Sequence, residues 1–397
     1  MKKIFLVLFL IGYFSQAETF RENHFKNDYT ESTKNFLETA KQVLQSNQKA
    51  QLKYFENEDS KIPILYWPTS SQKNNLVVLI SGVHGVEGFV GSAVQNHILE
   101  HHLNSKSPKS YDLLVVHGFN PYGMINKRRV NENNMDLNRS FIIDRKKLKP
   151  DDSSYLLLNE FLNPTDSPNP FILGKIKFIG LSIYNIVKYK LENLRRSILQ
   201  GQYSKEKGLF YGGSENPYQQ QILQLIYDQY MNQYRNVLTI DLHTGYGEKG
   251  RLHLLSNHFN SLTADQNKSH KNRLIDIFSE KSINFSDEKK FYNVNGEMLG
   301  YLNYLNVQNP AINSAVVTFE YGTLDSQKTF GSIESLRRMV LENQNHWHGR
   351  NESESSLKIK SQFEDMFNPQ DTRWRKQIIE QTFEQWQKIE NYFSKIN

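Results

Sequence analysis

Cysteine is absent from all 397 residues, which excludes disulfides, a thiol nucleophile and every cysteine-ligated metal site. Any metal the chain binds must take histidine and carboxylate ligands. There is no internal repeat and no Gly-x-x-x-x-Gly-Lys phosphate loop, so neither a solenoid nor a P-loop nucleotide site is expected. A basic stripe is missing too. The net charge is +6 and the pI near 9.0, but 48 Lys and Arg are scattered among 42 Asp and Glu. That pattern reads as a solvated surface and excludes a nucleic-acid partner. Apolar runs long enough to span a membrane are also lacking. The run at 4–14 follows Met1-Lys2-Lys3 and precedes Ser15-Gln16-Ala17, the charged, apolar and small-residue order of a secretory signal cleaved after Ala17. An uncleaved anchor is the alternative. Without cysteine there is no lipid-modified bacterial anchor, so a periplasmic or secreted protein with no stable span after cleavage is expected.

What is present describes a globular chain: 38% apolar, 12% aromatic and 23% charged residues. The stretch Leu76-Val-Val-Leu-Ile-Ser-Gly-Val-His84-Gly-Val-Glu87-Gly-Phe-Val-Gly91 organises it. Its first half is a buried strand. Its second half carries four glycines in ten residues, which let the backbone turn sharply. His84 and Glu87, three apart on that turn, form half of a zinc site, or equally an ordinary strand-to-helix connection.

Apolar strands are also predicted at 62–67, 111–117, 237–243, 251–256 and 315–319, with helices at 30–48, 92–103, 171–200, 217–234, 264–281, 332–347 and 374–393. The βαβ rhythm of 76–117 implies an α/β fold with a largely parallel sheet. The expected organisation is a signal peptide at 1–17, an N-terminal helical segment at 18–60, a catalytic domain at 61–350 with a helical insertion at about 150–215, and a helical C-terminal extension at 351–397. Polar groups collect at strand ends: His84 and Glu87, then Arg128, Arg129, Asn138 and Arg139 on a long loop, then His243, then Glu320. Open α/β sheets bind ligands at that edge. Two imidazoles and a carboxylate leave a fourth zinc position for water, the catalytic pattern. Asp241, two before His243, is a supporting group or a structural one. His97, His101 and His102 are expected on a helix surface, and His346 and His348 in a surface aromatic cluster with Trp347.

His-x-x-Glu with a distant His and a later Glu resembles the M14 zinc carboxypeptidases. More narrowly, Gly-Val-His-Gly-Val-Glu-Gly, Asn-Pro-Tyr-Gly, Asp-Leu-Asn-Arg, Gly-Leu-Phe-Tyr-Gly-Gly and Asp-Leu-His-Thr-Gly resemble the M14-like family DUF2817, related to the aspartoacylase and succinylglutamate desuccinylase group. The resemblance spans about residues 60–350. It implies a zinc carboxypeptidase-like three-layer α/β/α fold with a mixed sheet and one Zn²⁺ per chain on His84, Glu87 and His243. It also implies Glu320 as general base and acid, and Asp136 orienting the first histidine. Asn138 and Arg139 would grip a substrate carboxylate, with Arg128 or Arg129 stabilising the oxyanion. Tyr292, Tyr301 and Tyr304 are candidates for an assisting tyrosine. The implied substrate is a peptide or, in a rival reading, an N-acyl amino acid. A non-catalytic binding protein on the same fold is the third reading.

Overall fold

The computed structural model describes residues 20–57, 60–69, 73–105, 109–259, 261–285 and 296–396. The signal sequence expected at 1–17 and Tyr292 lie outside them. Eight strands form one sheet: β1 (Gln51–Asn57), β2 (Ser60–Trp67), β3 (Asn75–Ser81), β4 (Asp112–Val116), β5 (Asn236–Gly245), β6 (Leu252–Ser256), β7 (Ile283–Phe285) and β8 (Asn313–Gly322). Their spatial order is β1-β2-β4-β3-β5-β8-β6-β7. The central four, β4-β3-β5-β8, are parallel, whereas β2 pairs antiparallel with β4 and β6 with β8.

Helices cover both faces, and β3 shows why. All seven of its residues are buried. Val77 and Leu79 face one cluster, formed with the helices Tyr29–Ser46, Gly88–Asn104, Ala264–Phe278 and Thr372–Lys395. Leu76, Val78 and Ile80 face the other, with Tyr218–Gln229 and Met298–Gln308. A strand buried on both sides needs apolar residues at every position, which is why this run does not alternate. The result is the expected three-layer, mixed and largely parallel α/β/α fold.

Several boundaries differ from expectation. Gln51–Asn57, assigned to an N-terminal helical segment, is an antiparallel edge strand; its polar, largely exposed residues hide the alternation that marks a strand. The helices Glu354–Phe367 and Thr372–Lys395 are no appendage, since Phe363, Met366, Trp374 and Trp386 sit in the cores. His97 and His102 are buried, because helices remote in sequence close over Gly88–Asn104 from several sides. Among the described residues, no helix is long and apolar enough to cross a membrane.

The topology also places the site. β3 has β4 on one side and β5 on the other, so the chain reverses its order of winding there, and such a switch point opens a crevice at the strands' carboxyl ends.

Candidate active site

The chain leaves β3 through Gly82, whose φ of +75° suits glycine. His84 and a single 3₁₀ turn, Gly85–Glu87, follow. A Cβ on Gly85 would stand 2.1 Å from the carbonyl carbon of Gly123. The His84 loop and the Asn120-Pro-Tyr-Gly123 turn therefore touch backbone to backbone, and neither glycine can be replaced without moving one of them. The same loop donates from the Gly85 and Val86 amides to the carbonyls of Arg129 and Arg128. This pairing turns the two neighbouring arginines opposite ways. Arg129 reaches Glu87 at 3.2 Å and Asp136 at 3.0 Å. Arg128 turns to Glu342 at 2.8 Å and Asn134 at 3.0 Å, so the structure does not bring it to the cluster.

His84, Glu87 and His243 are buried, and each offers one ligand atom such that all three atoms lie within 4.8 Å of one another. Both rings are oriented alike. His84 presents Nδ1 to Glu87 at 2.9 Å and Nε2 to Asp136 at 3.1 Å. His243 presents Nδ1 to Glu87 at 2.8 Å and Nε2 to Asp241 at 2.6 Å. A ring whose Nε2–H is donated to an aspartate has its Nδ1 lone pair free for a metal, the arrangement seen around ligating histidines. Asp241, left open by the sequence, is the partner of the second histidine.

Electrostatics follow from this crowding. Burial alone would raise Glu87, but the charges of His84 and His243 hold its carboxyl far below the usual range. Asp136 is likewise depressed against its burial, chiefly by Arg129 and then His84. Burial would lower His243, yet Asp241 and Glu87 outweigh it and raise its pKa.

Glu320 lies directly opposite His243 in the β5–β8 register. Paired residues of parallel strands share a face, so base candidate and ligand candidate project together. Burial and then the charge of Glu87 push the Glu320 carboxyl upward; it accepts from the Tyr246 amide at 2.8 Å.

Asn138 and Arg139 follow Asp136 on a 3₁₀ turn capped by the Asp136 carboxylate. Asn138 extends from His243 Nε2, at 3.4 Å, to the Met298 amide, at 3.2 Å. The Arg139 backbone is enclosed: a Cβ on Gly212 or Gly296 would come within 2.7 or 2.3 Å of its carbonyl oxygen, which accepts from the Tyr203 hydroxyl at 2.8 Å. Of the glycines in Gly-Leu-Phe-Tyr-Gly-Gly, Gly212 thus serves a close approach to Arg139. Its Nη1 donates to the Asn138 carbonyl at 2.7 Å, while its buried Nε has no partner.

Sequence reading missed Glu297. With Asn138, Asp241, Asn257, Phe259 and Thr318 it lines a cavity of about 20 Å³ beside the cluster, room for a single water. Removal from water pushes its carboxyl up to about 7 against the pull of Arg139. Its partners are remote in sequence, so no local signal marked it. Tyr301 and Tyr304 do not reach the cluster; they line a separate depression, where the Tyr301 hydroxyl bonds Gln224.

The mixed α/β/α sheet thus carries, at its switch point, a His–Glu–His cluster of side chains able to hold a metal ion. The chain belongs to the family DUF2817, described as a protein of unknown function, whose pattern matches residues 25–381. That match runs past 350 into the C-terminal helices. Among solved structures, the chain is similar to carboxypeptidase A from Helicoverpa armigera at 12% identity, over 79% of this chain and 73% of that one, with a TM-score of 0.44. It is similar to bovine thrombin-activatable fibrinolysis inhibitor at 11% identity, over 85% and 96%, with a TM-score of 0.43. A metallo-carboxypeptidase from Burkholderia cenocepacia aligns at 12% identity, over 83% and 68%, with a TM-score of 0.38. No curated protein matches the chain.

Proposed function

We propose that the chain is an exported, zinc-dependent, metallocarboxypeptidase-like hydrolase that cleaves an amide bond next to a free carboxylate. The observation that carries this reading is the convergence of His84 Nδ1, Glu87 and His243 Nδ1, with an aspartate behind each ring. Two imidazole nitrogens and one carboxylate oxygen, with no thiolate in the chain, suit zinc with an open coordination position. Bound there, zinc would polarise the scissile carbonyl and acidify a water.

The remaining work falls to the chain's own groups. Glu320 takes a proton from water and returns it to the leaving amine, and a carboxyl raised by burial is suited to doing both. Arg129, held by Glu87 and Asp136, supplies positive charge where an oxyanion develops. Asn138 and Arg139 hold the substrate's carboxylate, and a bound anion would satisfy the buried Nε of Arg139, which otherwise costs about 1–3 kcal/mol.

Purified protein should contain one zinc per chain by elemental analysis, and Glu320→Gln should retain it while turnover falls roughly 10²–10⁴-fold. A chain that takes up no stoichiometric metal when zinc is added at neutral pH would end this reading. Amidating the carboxylate of a cleaved peptide should lower kcat/KM roughly 10–150-fold, the worth of a charge-assisted hydrogen bond. In Arg139→Ala the amidation should make little difference. Equal wild-type rates on free and amidated peptides would point to another specificity, and turnover confined to N-acyl amino acids would identify a deacylase.

A further inference from the structure

The helix Ile172–Leu199 has two unlike faces. Phe178 and Ile186 pack inward with the cluster that holds Leu336 and Met339. Ile172, Leu173, Ile176, Ile183, Tyr184 and Val187 point outward, with Leu173 74% and Val187 78% exposed. Their spacing keeps them on one stripe along the helix. Gly180 lies within it, and a Cβ there would meet nothing within 4 Å. Beside it the short helix Ser153–Leu157 adds exposed Leu156 and Leu157. An apolar face of this extent on a folded protein marks a surface that meets something else.

Charge selects the partner. From residue 172 to 191 there are four lysines and no acidic residue. At 100° per residue, Lys177 and Lys188 border the stripe on one side, and Lys190 stands at the kink that ends this run, with a φ of +66°. Lys188 stands over the rings of Tyr184 and Tyr189, at 5.4 and 4.9 Å. Apolar residues along the centre with lysines along a margin match a helix lying in the plane of a lipid surface, its ammonium groups at the headgroups. A second copy of the chain would bring lysine margins against lysine margins. An anionic lipid surface offers the complementary charge.

We propose that the part of this helix before its kink, residues 172–189, docks the protein, in plane and without spanning, onto a membrane containing anionic lipids. The segment that follows the helix encloses Arg139 through Tyr203 and Gly212, so a docked protein holds its cleft in a defined attitude to the lipid surface.

Because the chain lacks cysteine, Val187→Cys gives one labelling site for a polarity-sensitive fluorophore, and Lys41→Cys, exposed on Tyr29–Ser46, gives a control. With vesicles of phosphatidylglycerol and phosphatidylcholine, the label at 187 should shift to the blue and the label at 41 should not. Phosphatidylcholine alone, or high salt, should abolish the shift. Lys177→Gln with Lys188→Gln should weaken vesicle binding about thirtyfold, the size expected for two lysines near an anionic surface. Hydrolysis of a soluble peptide should be unchanged in these variants. An unshifted label at 187 overturns the proposal. So does a shift that arises without lipid as the protein self-associates, which would make this face a contact between copies.

Discussion

Two sets of buried histidines make a contrast. His84 and His243 meet carboxylates through both ring nitrogens. His102, equally buried, meets the Ile98 carbonyl, the Tyr111 hydroxyl and the edge of Trp386. His117 stacks on Phe36 at 4.5 Å and touches Gln95 and Thr33. Removal from water drives the pKa of His102 and His117 down to about 3, and those of His97 and His270 to about 4. His243 goes the other way because Asp241 and Glu87 outweigh burial. Burial is common to both sets, so it does not identify a site; a carboxylate at each ring nitrogen does, and buried His24, with Glu100 at one nitrogen and Asn35 at the other, falls short of that. A second group of potential ligands, His101, His102 and Glu390, shows the same point. Both ring nitrogens of its His102 are already used, by the Ile98 carbonyl and the Tyr111 hydroxyl.

Removing one histidine from each group gives the widest contrast. His243→Ala should lose stoichiometric zinc and more than about 10²-fold of turnover, since a ligand matters more than the partner that orients it. His102→Ala should keep zinc and turnover while its Tm falls, because it leaves a cavity and takes from the Tyr111 hydroxyl its shorter hydrogen bond, leaving only Glu390 at 3.4 Å. Zinc loss in His102→Ala, measured by elemental analysis, would break the distinction.

A smaller effect tests the supporting carboxylates. Asp241→Asn preserves shape but removes the charge that sets the His243 ring, and should weaken zinc about 10- to 100-fold in a competitive chelator titration. Unchanged affinity would make Asp241 a structural residue only.

The smallest effect per residue concerns protons. For His97, His102, His117 and His270 the folded pKa lies below the unfolded value of about 6.5. The folded state thus resists protons that the unfolded state accepts, and stability present above about 6.5 is lost as pH falls toward 4 and 3. Each histidine should contribute on the order of 2 kcal/mol to that loss by about pH 4.5. Thermal melts of chelator-treated protein should show Tm falling over this range. A flat Tm between pH 7 and 4.5 would mean that these rings gain protons without strain.

Legibility in the sequence followed locality. The strands β3, β4, β5 and β8 could be read because burial on both faces leaves largely apolar runs, broken in β5 and β8 only by single polar residues such as Thr239, Asp241 and Thr318, and His84 with Glu87 because both stand on one turn. The choice between Arg128 and Arg129 could not be read, since it depends on backbone bonds to the Gly85 loop more than forty residues away. His97 and His102 were misread because the residues that cover them, from Phe20 and His24 to Trp386, are distant in the chain. Glu297 was invisible for the same reason, its setting being made by Arg139 and Asn257.

The pairing of His243 with Glu320 across β5 and β8, and of β5 with β3 beside it, bears on what the molecule can do as it breathes. No hinge runs between these groups. Loops at the rim can move while His243 and Glu320 keep their mutual geometry, and that pair separates only when the central strands part. Backbone amides of residues 238–242 and 316–320 should therefore exchange with deuterium only through the largest openings of the molecule, so that parting His243 from Glu320 and losing the fold become one event.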